Sequence, residues 1–169
     1  TEFIELHYKE FSSMSWVYSC GAGANYGTAL ESALKMGETI HIPSCCYEIE
    51  EYIHGPNLQL TPQYNVIFFD GNDGASRRVE QVYKATRKVT NRAYLISNNP
   101  QLSSDDHVLS LSDTVSSELC PLVYLPFVQL LSFIVSNDLH SIYQHPLLKE
   151  FKAIAAAKTE NFVNYDGDD

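Results

Sequence analysis

Short, continuously apolar runs alternate along this chain with longer stretches whose apolar residues recur at three and four positions. Asn65-Val66-Ile67-Phe68-Phe69-Asp70 is the clearest of the short runs, bounded by Pro62 and by the Gly71-Asn72-Asp73-Gly74 turn, and it predicts a buried strand. Residues 16–20, 93–97 and 107–111 read the same way. Residues 39–43 read as a further strand from the β-branched Thr39, Ile40 and Ile42 and a stop at Pro43. Helical spacing predicts helices over 3–11, 76–90 and 121–139, with a final amphipathic one over 146–158. It also predicts one over 26–36, where Ala29, Leu30, Ala33 and Leu34 form the apolar side and Gly37 the stop. A shorter helix is expected over 47–52.

Strands that are apolar on both sides, alternating with helices, argue for a parallel sheet covered on both faces: a doubly wound, three-layer, flavodoxin-like α/β fold. One domain over 1–169, with its core at about 15–140, accommodates all of these elements. Ligands of such sheets sit outside the carboxyl ends of the strands, which directs attention to the loops after Cys20, Pro43 and Asp70.

Charge narrows the partners. Eleven Lys and Arg stand against twenty-one Asp and Glu, for a formal charge of -10, so the overall field opposes a nucleic acid. A small phosphorylated metabolite stays possible, since backbone N–H groups at a helix start can hold a phosphate without a basic surface. The longest apolar stretch, around 119–135, is interrupted by Pro121, Pro126, Gln129 and Ser132, so no bilayer span is expected. The first five residues lack the basic start and apolar core of a secretion signal. The four cysteines show no disulfide-framework spacing and read as reduced thiols of a cytoplasmic protein. The six histidines form neither a helical pair nor a set with a C-x-x-C, so no metal site and no cofactor is expected.

Three groups of residues could carry chemistry. Gly21, Gly23 and Tyr26 lie between a strand and a helix, where glycines permit tight turning and close approach to a ligand. Their spacing departs from the dinucleotide fingerprint, with Tyr26 where a glycine belongs, and no P-loop lysine follows. Glu31, Lys35 and Glu38 fall on one helix face, which is compatible with a solvated ion-paired surface or with an acid–base face. His54-Gly55-Pro56 is a turn that would hold its histidine on a defined loop. A carboxylate and an imidazole in one pocket are the two groups an aldose–ketose proton shuttle needs.

Taken together, residues 29–38, the acidic Glu51 and the following His54-Gly55-Pro56 resemble the second half of the SIS (sugar isomerase) family, as in glucosamine-6-phosphate synthase and the fructosamine-6-phosphate deglycases. Gly21, Gly23 and Tyr26 match the family's preceding glycine pattern, and the resemblance covers most of 17–139. It implies Glu38 as the base that moves a carbon-bound proton and His54 as the ring-opening or general-acid group, often supplied by another subunit. Gly21, Gly23, Tyr26, Glu31, Lys35 and Glu51 would shape the sugar site. The ligand implied is a ketosamine or ketose 6-phosphate.

Two departures refine this. The tail over 145–152 lacks the synthase's lysine pattern, which favours a deglycase or another phosphosugar enzyme, and no Ser/Thr-rich phosphate loop follows any strand. The chain is therefore expected to be the C-terminal half of a two-SIS protein, working as a homodimer or paired with another SIS half. The alternatives are a non-catalytic sugar-phosphate-binding or assembly module, and a synthase isomerase fragment.

Overall fold

A computed structural model describes residues 1–111, 115–141 and residue 154. Within them β1 (Val17–Gly21), β2 (Ser44–Glu48), β3 (Asn65–Asp70), β4 (Ala93–Ser97) and β5 (Val108–Ser110) form one sheet in the order β2-β1-β3-β4-β5. Every neighbouring pair is parallel. This is the doubly wound arrangement expected, with the reversal of strand order falling between β1 and β3.

Side-chain alternation along the central strand divides the core. Ile67 and Phe69 of β3 face one layer, built from α1 (Glu2–Leu6), α2 (Tyr8–Ser12), α3 (Asn25–Lys35) and α6 (Cys120–Asp138). Val66 and Phe68 face the other, built from α4 (Ile49–Ile53) and α5 (Ser76–Thr86). All six residues of β3 are buried, so every side chain on it is covered by a helix layer. Each of its large apolar side chains contributes on the order of 2 kcal/mol of transfer free energy.

Several local expectations change. The strand expected at 39–43 is not one: α3 runs on through a π-helical turn, Met36–Ile40, and stops at His41, whose φ is 63°. Met36 and Ile40, four apart, are both buried on the α3 side, and that packing outweighs the β preference of Thr39 and Ile40. The Thr39 hydroxyl donates to Lys35 O at 2.8 Å, satisfying a carbonyl near the place where the helix changes pitch. Gly37 therefore lies inside the turn, and its role is contact: a Cβ there would stand 3.1 Å from Ser44 Oγ at the start of β2. Ser44 Oγ in turn donates to Ala33 O at 2.5 Å.

The strand itself starts after Pro43 and takes in residues expected to begin the next helix, which runs instead over Ile49–Ile53. The leading helix is two short ones broken at His7, and α5 ends at Thr86, leaving Val89 exposed. Leu30 and Leu34, assigned to the apolar side of α3, are about half exposed; Ala29, Ser32, Ala33 and Met36 make its buried side.

α6 is unbroken. Pro121 sits in its first turn, where a missing N–H costs nothing, and Pro126 lies inside it. By length and composition α6 is long and apolar enough to cross a membrane, contrary to the expectation from its prolines. Its Cys120, Tyr124, Phe127, Val128, Leu131 and Val135 recur at helical spacing and pack in the α3 layer, as a core helix does. The helix expected at 146–158 lies outside the described residues, apart from residue 154.

Candidate functional site

The residues singled out by sequence fall into three places. Gly21, Gly23 and Tyr26 sit at the carboxyl end of β1. Gly21 closes the strand so tightly against α3 that a Cβ would lie 2.3 Å from Asn25 O, and Gly23 adopts a φ of 54°. Tyr26 faces β2 and α4: Cys46 first, then burial, Glu51 and Glu48 push its phenol up. Glu51, exposed in the first turn of α4, thus belongs to this end of the sheet. Cys46 is raised to about 11, mainly by burial, so it is a thiol at neutral pH.

Glu31, Lys35 and Glu38 form a second group. Lys35 Nζ lies 3.5 Å from Glu31 Oε1 and 2.8 Å from Glu38 Oε2, which bridges the two acids along α3 and its π-helical turn. Its hydrogen bond to Glu38 raises the lysine above its ordinary value, so the ladder is held by a full positive charge at neutral pH. Glu38 stands beside Gly37, which abuts the amino end of β2. Twelve residues of helix separate it from Tyr26, about 18 Å along the axis.

His54 is the third. It caps the end of α4 with its ring exposed, and α4 packs in the other helix layer from α3. Glu50, one turn back on α4, is held by Arg78 through bonds of 2.6 and 3.1 Å. Within one chain, then, the sheet separates Glu38 from His54.

Sequence reasoning passed over a polar cluster at the carboxyl ends of β3 and β4. Asp70, 2 % exposed, accepts from Asn72 N at 3.1 Å, Ser76 Oγ at 2.5 Å and Ser97 Oγ at 2.7 Å, and its carbonyl accepts from Tyr124 at 2.6 Å. Asn25 and Asn98, 1 % and 2 % exposed, are also here, each with one unpaired polar atom among the described residues. The signal available was the Asp-Gly-Asn-Asp-Gly run closing the clearest strand. Elsewhere Asp105, Asp106 and His107 bring possible metal-ligand atoms within 4.8 Å of one another. Asp105 is already engaged by the Tyr83 hydroxyl and the His107 N–H, and Asp106 by the His107 ring. All four cysteines are free thiols.

The match of this chain to known proteins decides its family. Residues 10–114 fit the family model described as the SIS domain. The chain belongs to the SIS family. Among SIS relatives, the glutamine–fructose-6-phosphate aminotransferase (isomerizing) of Methanothermobacter thermautotrophicus is 30% identical over 131 residues, covering 75% of this chain and 22% of the relative. The enzyme of the same name from Salmonella typhi is 28% identical over 136 residues, covering 79% and 22%. The chain thus spans about a fifth of the length of these relatives.

Among solved SIS structures, the C-terminal domain of glucosamine-fructose-6-phosphate aminotransferase from Francisella tularensis superposes with a TM-score of 0.67 at 23% identity, covering 80% of this chain and 39% of that one. The tagatose-6-phosphate ketose/aldose isomerase of Escherichia coli also gives 0.67, at 17% identity, with coverage of 78% and 39%. The chain is a SIS domain that shares its fold with phosphosugar isomerases and is related to the isomerizing aminotransferases over about a fifth of their length.

Proposed function

We propose that this SIS domain supplies Glu38 and His54 to a phosphosugar site that a second SIS half, either another copy of this chain or a partner domain, completes. The observation that carries this reading is the Glu31–Lys35–Glu38 ladder. It orients an exposed Glu38 on a π-helical turn, a local geometry often found at working sites, with half-buried Glu31 on α3 and half-exposed Leu30 and Leu34 beside it. The exposure of His54 in the opposite layer supports a role for it toward a neighbouring half. In the reaction Glu38 takes the proton from the carbon next to a carbonyl. His54 moves a proton at the sugar oxygen, or at the leaving amine of a ketosamine 6-phosphate.

The test is mixing. Glu38→Gln and His54→Asn each abolish isomerisation or amine release from ketose and ketosamine 6-phosphates while the melting temperature holds. Equal parts of the two variants, unfolded and refolded together, regain about a quarter of wild-type turnover if two copies share each site. Near-normal turnover in Glu38→Gln would sink the assignment. The separation of Glu38 and His54 within one chain favours a second reading, a non-catalytic phosphosugar-binding module. Ligand-induced thermal stabilisation without turnover in wild type would select it.

A further inference from the structure

A cavity of about 720 Å3 lies at the opposite edge of the sheet from β2, where β5 is the outermost strand. α1 forms one wall and the first half of α6 another, with the β5 segment between them. Leu6, Leu109, Leu111, Val123 and Leu130 line it, and none of these five is fully buried. The apolar surface continues along α6, which carries no charged residue between Cys120 and Asn137 and exposes Leu122, Pro126 and Phe133 at helical spacing. A solvated helix face ordinarily carries charge there, and a patch of this kind marks a contact surface.

The charges around the cavity narrow what fits it. Glu2, Asp105 and Asp106 are the charged side chains in its lining, with no lysine or arginine among them, and Glu2 and Asp106 are exposed. An occupant with an apolar side and positive charge suits such walls, and an anionic surface does not. The chain itself carries a segment of this composition. Over residues 146–158, Leu147, Leu148, Phe151, Ile154 and Ala155 fall on one side at helical spacing, Lys152 borders that side and Lys158 continues it one turn on. Three lysines stand against one glutamate there, in a chain whose formal charge is -10. As a helix the segment would run about 20 Å, against about 17 Å of α6 between Leu122 and Phe133. Ile154 is helical and 90% exposed, so its own chain leaves the centre of that apolar side uncovered.

We propose that residues 146–158 of one copy of this chain seat as a helix in the cavity between α1, β5 and α6 of a second copy, with Lys152 and Lys158 toward Glu2 and Asp106. The exchange is reciprocal, so two cavities and two segments close a two-fold pair. The contact uses none of Glu31, Lys35, Glu38 and His54. It therefore stands or falls apart from the assignment of those residues, and its test reads no turnover.

Photocrosslinking of the full chain, with p-benzoyl-phenylalanine in place of Phe151, tests this directly. The expected product is a covalent pair of chains whose adduct maps by mass spectrometry to α1, β5 or the first half of α6. In the same chain, Ile154→Asp and the double reversal Lys152→Glu/Lys158→Glu each lower the yield of that pair about tenfold, and Glu2→Lys lowers it in the same direction. Ile154 and Glu2 are exposed, so these variants leave the fold intact. An adduct formed within one chain, an adduct on α3 or any other surface, absence of a covalent pair, or a yield unchanged by Ile154→Asp or by the charge reversals would each overturn the proposal.

Discussion

Gly21 leaves no room for a side chain. Its Cβ would meet the backbone of Asn25 and Tyr26, not a flexible side-chain tip, so the first turn of α3 would have to move away from β1. Gly21→Ala is expected to cost about 2 kcal/mol, the scale of overpacking in a rigid core, read from denaturant melts. Gly27, three residues into α3 with nothing within 4 Å of its Cβ, makes the contrast: Gly27→Ala should stabilise by roughly 0.5–1 kcal/mol through helix propensity. Both glycines fall in the short stretch over which β1 gives way to α3, and the sequence alone does not rank them. Which one is indispensable depends on what α3 approaches. The same limit applies to Leu30 and Leu34: periodicity placed them with Ala29 and Ala33, but Ser32, bonded to Ser19 at 2.8 Å across the β1–α3 contact, takes the buried position and turns the leucines outward.

Among the elements, β3 and β4 were legible because both their faces are covered, so a continuous apolar run is the only sequence that suits them. β2 was not. It is an edge strand of sequence SCCYE with no β-branched residue and no fully buried one, and the β-branched run just before it belongs to a π-helical turn. The leading helices were found, but their break was not, because it serves a tertiary contact: His7 Nε2 lies 2.7 Å from Asp106 O and its ring packs 4.5 Å from that of His107. His107 also bonds the Asp106 carboxyl at 2.7 Å and holds it below the usual carboxylate range. A depressed carboxyl contributes stability above its unfolded value, near pH 4, and loses it as pH falls through the lower folded value. Thermal melts of Asp106→Asn should therefore fall below wild type at about pH 6 and converge with it near pH 2.

At the scale of the whole molecule, the sheet separates the residues that the family pattern joins. The fold was readable from strand–helix alternation, and the residues proposed for the site come from the family pattern. That Glu38 and His54 stand in different layers was not written in their spacing along the chain, although the family resemblance already implied a histidine that often acts from another subunit. Leu30 and Leu34 flank the Glu38 ladder with half-exposed apolar surface, which an interface there would cover. If the proposed second half is another copy of this chain, Leu34→Glu is expected to shift sedimentation from dimer to monomer and to abolish turnover together, while far-UV circular dichroism stays as in wild type.

β2 is the outermost strand on its side of the sheet, and Cys45 is its exposed residue. An unpaired strand rim with a thiol on it is a storage problem: two molecules that meet there can be locked together by air, and the locked pair then templates further stacking. Precipitates from aged, unreduced stocks should run as covalent pairs on non-reducing gels, and Cys45→Ser should lengthen shelf life without touching the cavity or the ladder.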